Sequence, residues 1–264
     1  MEPSMPTEIV RQQTPEEAEL LRKREQLAAI RAELAERELE AADLRAQLRS
    51  FEGRYLRLVG VLYAELDEWK ARIAELQARL NPSPAAQEQV QQFRKEADES
   101  HEAAHGSASQ SKDFRPSPDL RSLFREVAKR IHPDFAKDDA DRQRRTGLMA
   151  QANEAYGRGD LSALESILDD YHESSESVMG EGIGAELIRL IRQIHEARKN
   201  IVALDEELNR LASGELSRLK RDTQIAEGEG RDLLAELAAT IEGKIIQRRK
   251  EHDSLAQEVR AHGR

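Results

Sequence analysis

The 264-residue chain contains no cysteine, which excludes disulfides, thiolate zinc sites, iron–sulfur clusters and a cysteine nucleophile. That absence fits a reducing compartment. Aromatic residues are scarce as well: five Phe, four Tyr and one Trp cannot furnish a large globular core. Long apolar runs are missing. The longest, Leu58–Ala64, is interrupted by Gly60 and falls far short of the ~20 residues that a membrane span needs. The opening MEPSMPTEIV shows neither the basic nor the apolar region of a secretory signal. There is no surplus of positive charge: 41 Lys and Arg face 51 Asp and Glu, for a formal net charge of −10. Phosphate contacts need clustered cations, so nucleic acid is not expected as a partner, and without a long apolar run neither is a membrane. The expected location is the cytoplasm.

Proline is absent from two long stretches. The eight prolines stand at 3, 6, 15, 82, 84, 116, 118 and 133, so helices can run through 16–81 and 134–264 without a proline break. The composition suits them, with 35% charged residues and Leu, Ala, Glu and Arg dominant. Thr14-Pro15-Glu16-Glu17 is a capping box with proline at the first helical position. Leu20, Leu27, Leu34, Ala41, Leu48, Tyr55 and Leu62 then recur every seven residues, with Ile30, Leu44, Phe51 and Leu58 between them. The alternation slips by one residue between Leu62 and Leu66 and resumes through Trp69, Ile73, Leu76 and Leu80. This is coiled-coil patterning over 14–80. So narrow an apolar stripe must pair with another helix.

A second helical coiled-coil arm is expected over 184–262. Leu187, Ile191, Ile194, Ile201, Leu204 and Leu208 step by three, four or seven. Beyond Ser213-Gly214 the pattern loosens to Leu233, Leu237, Ile241 and Ile245, after Gly228 and Gly230, and each glycine costs a helix about 1 kcal/mol relative to Ala. The two arms could pair antiparallel within one chain, or each with its counterpart in a homodimer. Both arrangements stay open at this point. Residues 1–13 read as a disordered N-terminus, 81–116 as a flexible linker with room for a short helix over Gln87–Asp98, and 172–183 as a second linker.

Between the linkers, residues 117–171 read as a compact helical module. Ser117 is the expected N-cap and Pro118 the first helical residue. Leu120, Phe124, Val127 and Ile131 form one apolar face, and Arg121, Arg125 and Lys129 a basic one, with Arg130 beside it. Pro133 disfavours helical geometry at His132. His-Pro-Asp is therefore expected at the turn, with imidazole and carboxylate exposed. A helix over Ala140–Tyr156 follows, stopped by Gly157-Arg158-Gly159, and Asp160 caps a third.

LFREVAKRIHPD, followed downstream by NEAY at Asn153–Tyr156, resembles the J-domain of DnaJ-type co-chaperones. The resemblance covers about 55 residues. It implies docking on an acidic surface of an Hsp70-type chaperone and stimulation of that partner's ATP hydrolysis. His132, Pro133 and Asp134 would form the docking loop. Arg121, Arg125, Lys129 and Arg130 would supply the charges, and Phe124 would sit between face and core. The chain departs from the family pattern in three places: no first helix is visible in ASQSKDFRP, Glu126 replaces a frequent basic residue, and Ile131 replaces an aromatic. The coiled-coil arms would then target a client or assembly.

Two further motifs carry little. His101-Glu102-Ala103-Ala104-His105 matches the H-E-x-x-H zinc pattern, but it lies in a Ser/Gln-rich segment without apolar flanks or an evident third ligand. Gly180-Glu181-Gly182-Ile183-Gly184 follows no buried strand. The chain is thus not expected to be an enzyme and has no expected catalytic residue, metal or cofactor. The expectation is an all-α fold, a J-domain-like helical module flanked by two long coiled-coil arms. The alternative is a scaffold whose module does not activate Hsp70.

Overall fold

The computed structural model describes residues 14–106, 114–173 and 182–262. The expected N-terminal segment 1–13, and residues 107–113 and 174–181 of the two expected linkers, lie outside the described residues. Among the described residues the fold is all-helical, with no strand.

Helix α1 spans Pro15–Tyr55. It starts at the expected capping box: Glu17 N–H donates to Thr14 Oγ1 at 3.2 Å, and Thr14 N–H donates to the Glu17 carboxylate at 2.9 Å. A π-helical turn over Leu56–Gly60 leads into α2, Val61–Leu80. Such a turn accommodates one extra residue, and it lies just ahead of the slip seen between Leu62 and Leu66. Helix α3 follows at Pro84–Gly106, far longer than the short helix expected there. The rest are α4 (Pro118–Ile131), α5 (Asp139–Arg158), α6 (Leu161–Glu173), α7 (Ile183–Ser213), α8 (Glu215–Gly228) and α9 (Leu233–His262).

The chain divides into two compact units. The first takes the chain through Leu44 together with Pro116–Arg210. Its seam joins Leu20, Leu27, Ile30, Leu34 and Ala41 of α1 to Leu190, Ile194, Ala197, Ile201 and Leu204 of α7. Two ion pairs set the direction: Arg24–Glu186 at 2.6 Å and Arg37–Asp205 at 3.1 Å. Residue numbers advance together, so the in-chain pairing is parallel and the antiparallel arrangement does not occur here. Parallel pairing is available because the intervening chain returns before α7 begins. In the same unit α4, α5 and α6 pack on one another. Leu120, Phe124, Val127, Ile131, Met149, Ala152, Tyr156 and Leu164 are buried, and each large apolar side chain contributes roughly 1.5–3 kcal/mol.

The second unit comprises Arg45–Arg115 and the chain from Leu211 onward. Phe51, Val59 and Leu66 pack with Leu234, Ile241 and Ile245, and Tyr55 and Trp69 are partly buried against them. Helix α3 lies antiparallel to α2. Arg94 bonds Glu75 and Glu68 at 2.7 and 2.8 Å, and Ser100 Oγ donates to Asp67 at 2.7 Å. Its buried side includes Ala97 and Ala104. Alanines and ion pairs replace a leucine stripe, which is why no apolar period marks this helix. Gly230 has φ +77°, a left-handed geometry suited to glycine, between α8 and α9.

Candidate docking site

The module's first helix starts as its residues dictate. Ser117 Oγ accepts from Leu120 N–H at 3.1 Å, with Pro118 at the first helical position. At its other end His132 leaves helical geometry with ψ 133°, and Pro133–Phe135 make a single 3-10 turn. The Asp138 carboxylate accepts from Asp141 N–H at 2.8 Å and caps α5. Gly159, at φ 72°, closes that helix, and the Asp160 carboxylate caps α6 through Ala163 N–H at 3.0 Å.

Arg145 fastens the turn from beneath. It is buried, and Nη1 donates to the carbonyls of Arg130 at 2.9 Å and His132 at 3.4 Å, while Nε donates to Asp141 at 2.8 Å. The last carbonyls of a helix lack intrahelical partners and carry partial negative charge, so a cation there is favourable. Burial works to raise the Asp141 carboxyl, but hydrogen bonds from Arg144, the Lys137 N–H and Arg145 outweigh it and hold it at about 2.

His132 is buried, at 4% exposure. Its Nδ1 accepts from Asp134 N–H at 3.2 Å, which in the neutral ring places the proton on Nε2. Nε2 faces Glu38 Oε1 of α1 at 3.4 Å. The Asp134 side chain is turned inward too: Oδ1 accepts from Asn200 Nδ2 of α7 at 2.6 Å. Its Oδ2 is buried without a hydrogen-bond partner, 3.5 Å from His132 Nδ1. The expected exposure of both groups is therefore corrected. The physical reason lies one residue on: Phe135 is buried in the α1–α7 core, with the Arg31 guanidinium 4.4 Å from its ring centroid. Burial, and next the charge of Arg145, lower the Arg31 pKa.

The basic positions separate. Arg121 pairs with Asp43 at 2.6 Å and Arg125 with Glu36 at 3.3 Å, both carboxylates on α1. Arg130 pairs with Glu126 at 2.6 Å within α4. Lys129 is exposed and shares with Arg125 an open groove of about 540 Å³, bordered by Leu123, Leu161 and Glu165. Pro133 is half-buried. Phe124, expected between face and core, is wholly in the core, its ring 4.7 Å from that of Tyr156. The Tyr156 hydroxyl donates to Asp43. Burial, then the bond to Asp43 and its charge, push the phenol pKa up.

The structure thus brings Arg121, Arg125, His132 and Asp134 against one acidic and amide surface of α1 and α7. Sequence reasoning missed Glu36, Glu38, Asp43, Phe135, Arg145 and Asn200. One signal was available: Glu36 and Asp43 stand seven residues apart, one face of a helix beside the leucine seam. For the H-E-x-x-H match, His101 lies on exposed α3 surface. Among the described residues no group of three or more His, Asp or Glu could hold a metal ion. No helix among them is long and apolar enough to cross a membrane. The chain matches no family model, no curated protein and no solved structure.

Proposed function

We propose that the chain is an Hsp70 co-chaperone of the J-domain type. The observation that carries the reading is the junction itself: a basic helix, a His132-Pro133-Asp134 turn and a second helix, with α6 packed on both helices. In this reading α6 completes a three-helix module that lacks the family's upstream helix. The electrostatics support it. Arg121 and Arg125 each bind a carboxylate in the structure, so the face is suited to an acidic partner surface, and charge complementarity governs such encounters. ATP hydrolysis would belong to the partner. The paired arms, of coiled-coil character, would position the module on a client or assembly, and self-association through them remains compatible with the parallel in-chain seam.

The test is single-turnover ATP hydrolysis by a cognate Hsp70 with and without the full-length chain. Acceleration that disappears with His132→Gln supports the reading. No acceleration at any concentration of a chain whose turn is accessible to solvent refutes it.

A second reading is favoured by one observation, the burial of His132 under α1. In it the module is a structural element of a helical scaffold and His132 is a packed residue. His132→Gln would then lower stability and leave every partner's activity unchanged.

A further inference from the structure

Apart from Lys129, the polar side chains that docking would use are already engaged by this chain. We infer that α1 is a built-in acidic competitor: Glu36, Glu38 and Asp43 cover the face on which an acidic partner would dock, and docking requires that this contact open. The inference rests on the co-chaperone reading.

Three carboxylates of one helix meet three positions of the module. Asp43 lies on Arg121, Glu36 on Arg125 and Glu38 on His132. The contacts are unequal. Arg125 and Glu36 are both about half exposed, and water screens such a pair to little net worth. Glu38 and Asp43 retain only 13% and 14% of their side-chain exposure, but Arg121 keeps 45% where His132 keeps 5%, so the His132–Glu38 contact is the desolvated one that an incoming carboxylate cannot enter. Phe135, in the α1–α7 core, adds an apolar anchor. Opening is therefore a cooperative displacement of α1 from the module, not the fraying of one ion pair.

The closed state also carries a defect that favours opening. Asp134 Oδ2 is buried with no hydrogen-bond partner. A buried polar atom left unsatisfied is costly, and it regains water when the turn is exposed. Lys129 stays exposed while α1 is in place, so an acidic surface can make its first contact there before α1 yields.

The experiment uses two full-length variants: Glu36→Lys with Glu38→Lys and Asp43→Lys, and the milder Glu36→Gln with Glu38→Gln and Asp43→Asn. None of the three lies in the module. Two quantities are read on each soluble, helical protein. One is acylation of His132 by diethyl pyrocarbonate, located by peptide mass, with exposed His262 as reference. The other is single-turnover ATP hydrolysis by a cognate Hsp70. The expected result is slow acylation in the unaltered chain and a rise of at least about tenfold on charge reversal, the range of ordinary coupling between sites. Stimulation rises in parallel and is lost when His132→Gln is added. Unchanged acylation in both variants overturns the competitor. Equal stimulation by the unaltered chain and an opened variant overturns it while leaving the co-chaperone reading intact. Exposed His132 with no stimulation by either protein refutes the co-chaperone reading, and the competitor with it.

Discussion

The Tyr156 hydroxyl donates a 2.5 Å hydrogen bond to Oδ1 of Asp43, 113 residues away in sequence, while Arg121 holds the other carboxylate oxygen at 2.6 Å. One carboxylate of α1 thus takes a hydrogen bond from the end of α5 and a charge from the start of α4. With the phenol pKa pushed up, Tyr156 remains a donor through neutral and mildly alkaline pH.

Tyr156→Phe keeps the ring against Phe124 and removes only the hydroxyl. We predict a loss of about 1.5–3 kcal/mol, the range for a hydrogen bond to a charged group. In a double-mutant cycle with Asp43→Asn by chemical denaturation, a coupling of at least ~0.5 kcal/mol is expected for residues in contact. A coupling near zero would contradict the bond.

Asp141 gives the module a dependence on acid. Its carboxyl is held at about 2 in the fold, against 3.8 for an ordinary aspartate. A depressed carboxyl contributes stability that is fully present above the unfolded value and is lost as pH falls through the folded one. The window is therefore about pH 4 down to about pH 2, and the contribution is roughly 2 kcal/mol. The stability gap between the unaltered chain and Asp141→Asn should narrow as pH falls from 5 to ~2. A gap that is constant across that range would remove this assignment.

Phe135→Ala opens a cavity beneath the turn. Removal of a buried phenylalanine typically costs about 3–5 kcal/mol, whereas Phe135→Leu should cost less because volume is better conserved. Thermal unfolding of the two variants should rank in that order. Equal, negligible losses would show that the turn is not seated in the α1–α7 core.

Two glycines of the same helix region should respond with opposite sign. Gly159 has φ 72°, so Gly159→Ala is strained and should destabilise by about 1 kcal/mol. Gly147 is exposed inside α5 with no atom near its would-be Cβ, so Gly147→Ala should stabilise by roughly 0.5–1 kcal/mol. Denaturant midpoints report both signs directly.

Much of the local architecture was legible. Thr14, Ser117, Asp160 and Gly159 announced helix ends, because capping and left-handed termination are decided by residues adjacent in the chain. The leucine spacing of α1 was equally plain. What stayed hidden depends on residues far apart. Periodicity shows that Leu20 and Leu27 need a partner helix, but parallel and antiparallel partners demand the same stripe, and the Arg24–Glu186 and Arg37–Asp205 pairs leave no one-dimensional mark. Helix α3 escaped because alanine and ion-pair packing has no apolar period. The candidate site was half readable: His132, Asp134 and the basic face are found by pattern, but their burial is imposed by Glu38, Asn200 and Phe135, which no local rule connects to them.

The parallel seam also sets the order in which the protein can assemble during synthesis. Arg24 and Glu186 are 162 residues apart, so at ~5–20 residues per second the ribosome takes roughly ten to thirty seconds to deliver the partner of α1. During that interval the leucines of α1 have no α7 to cover them. The contacts among α4, α5 and α6 are closer in sequence and close at smaller entropic cost. The module can therefore form first, and the acidic face of α1 can meet it before α7 arrives with Asn200 and the rest of the core around Phe135.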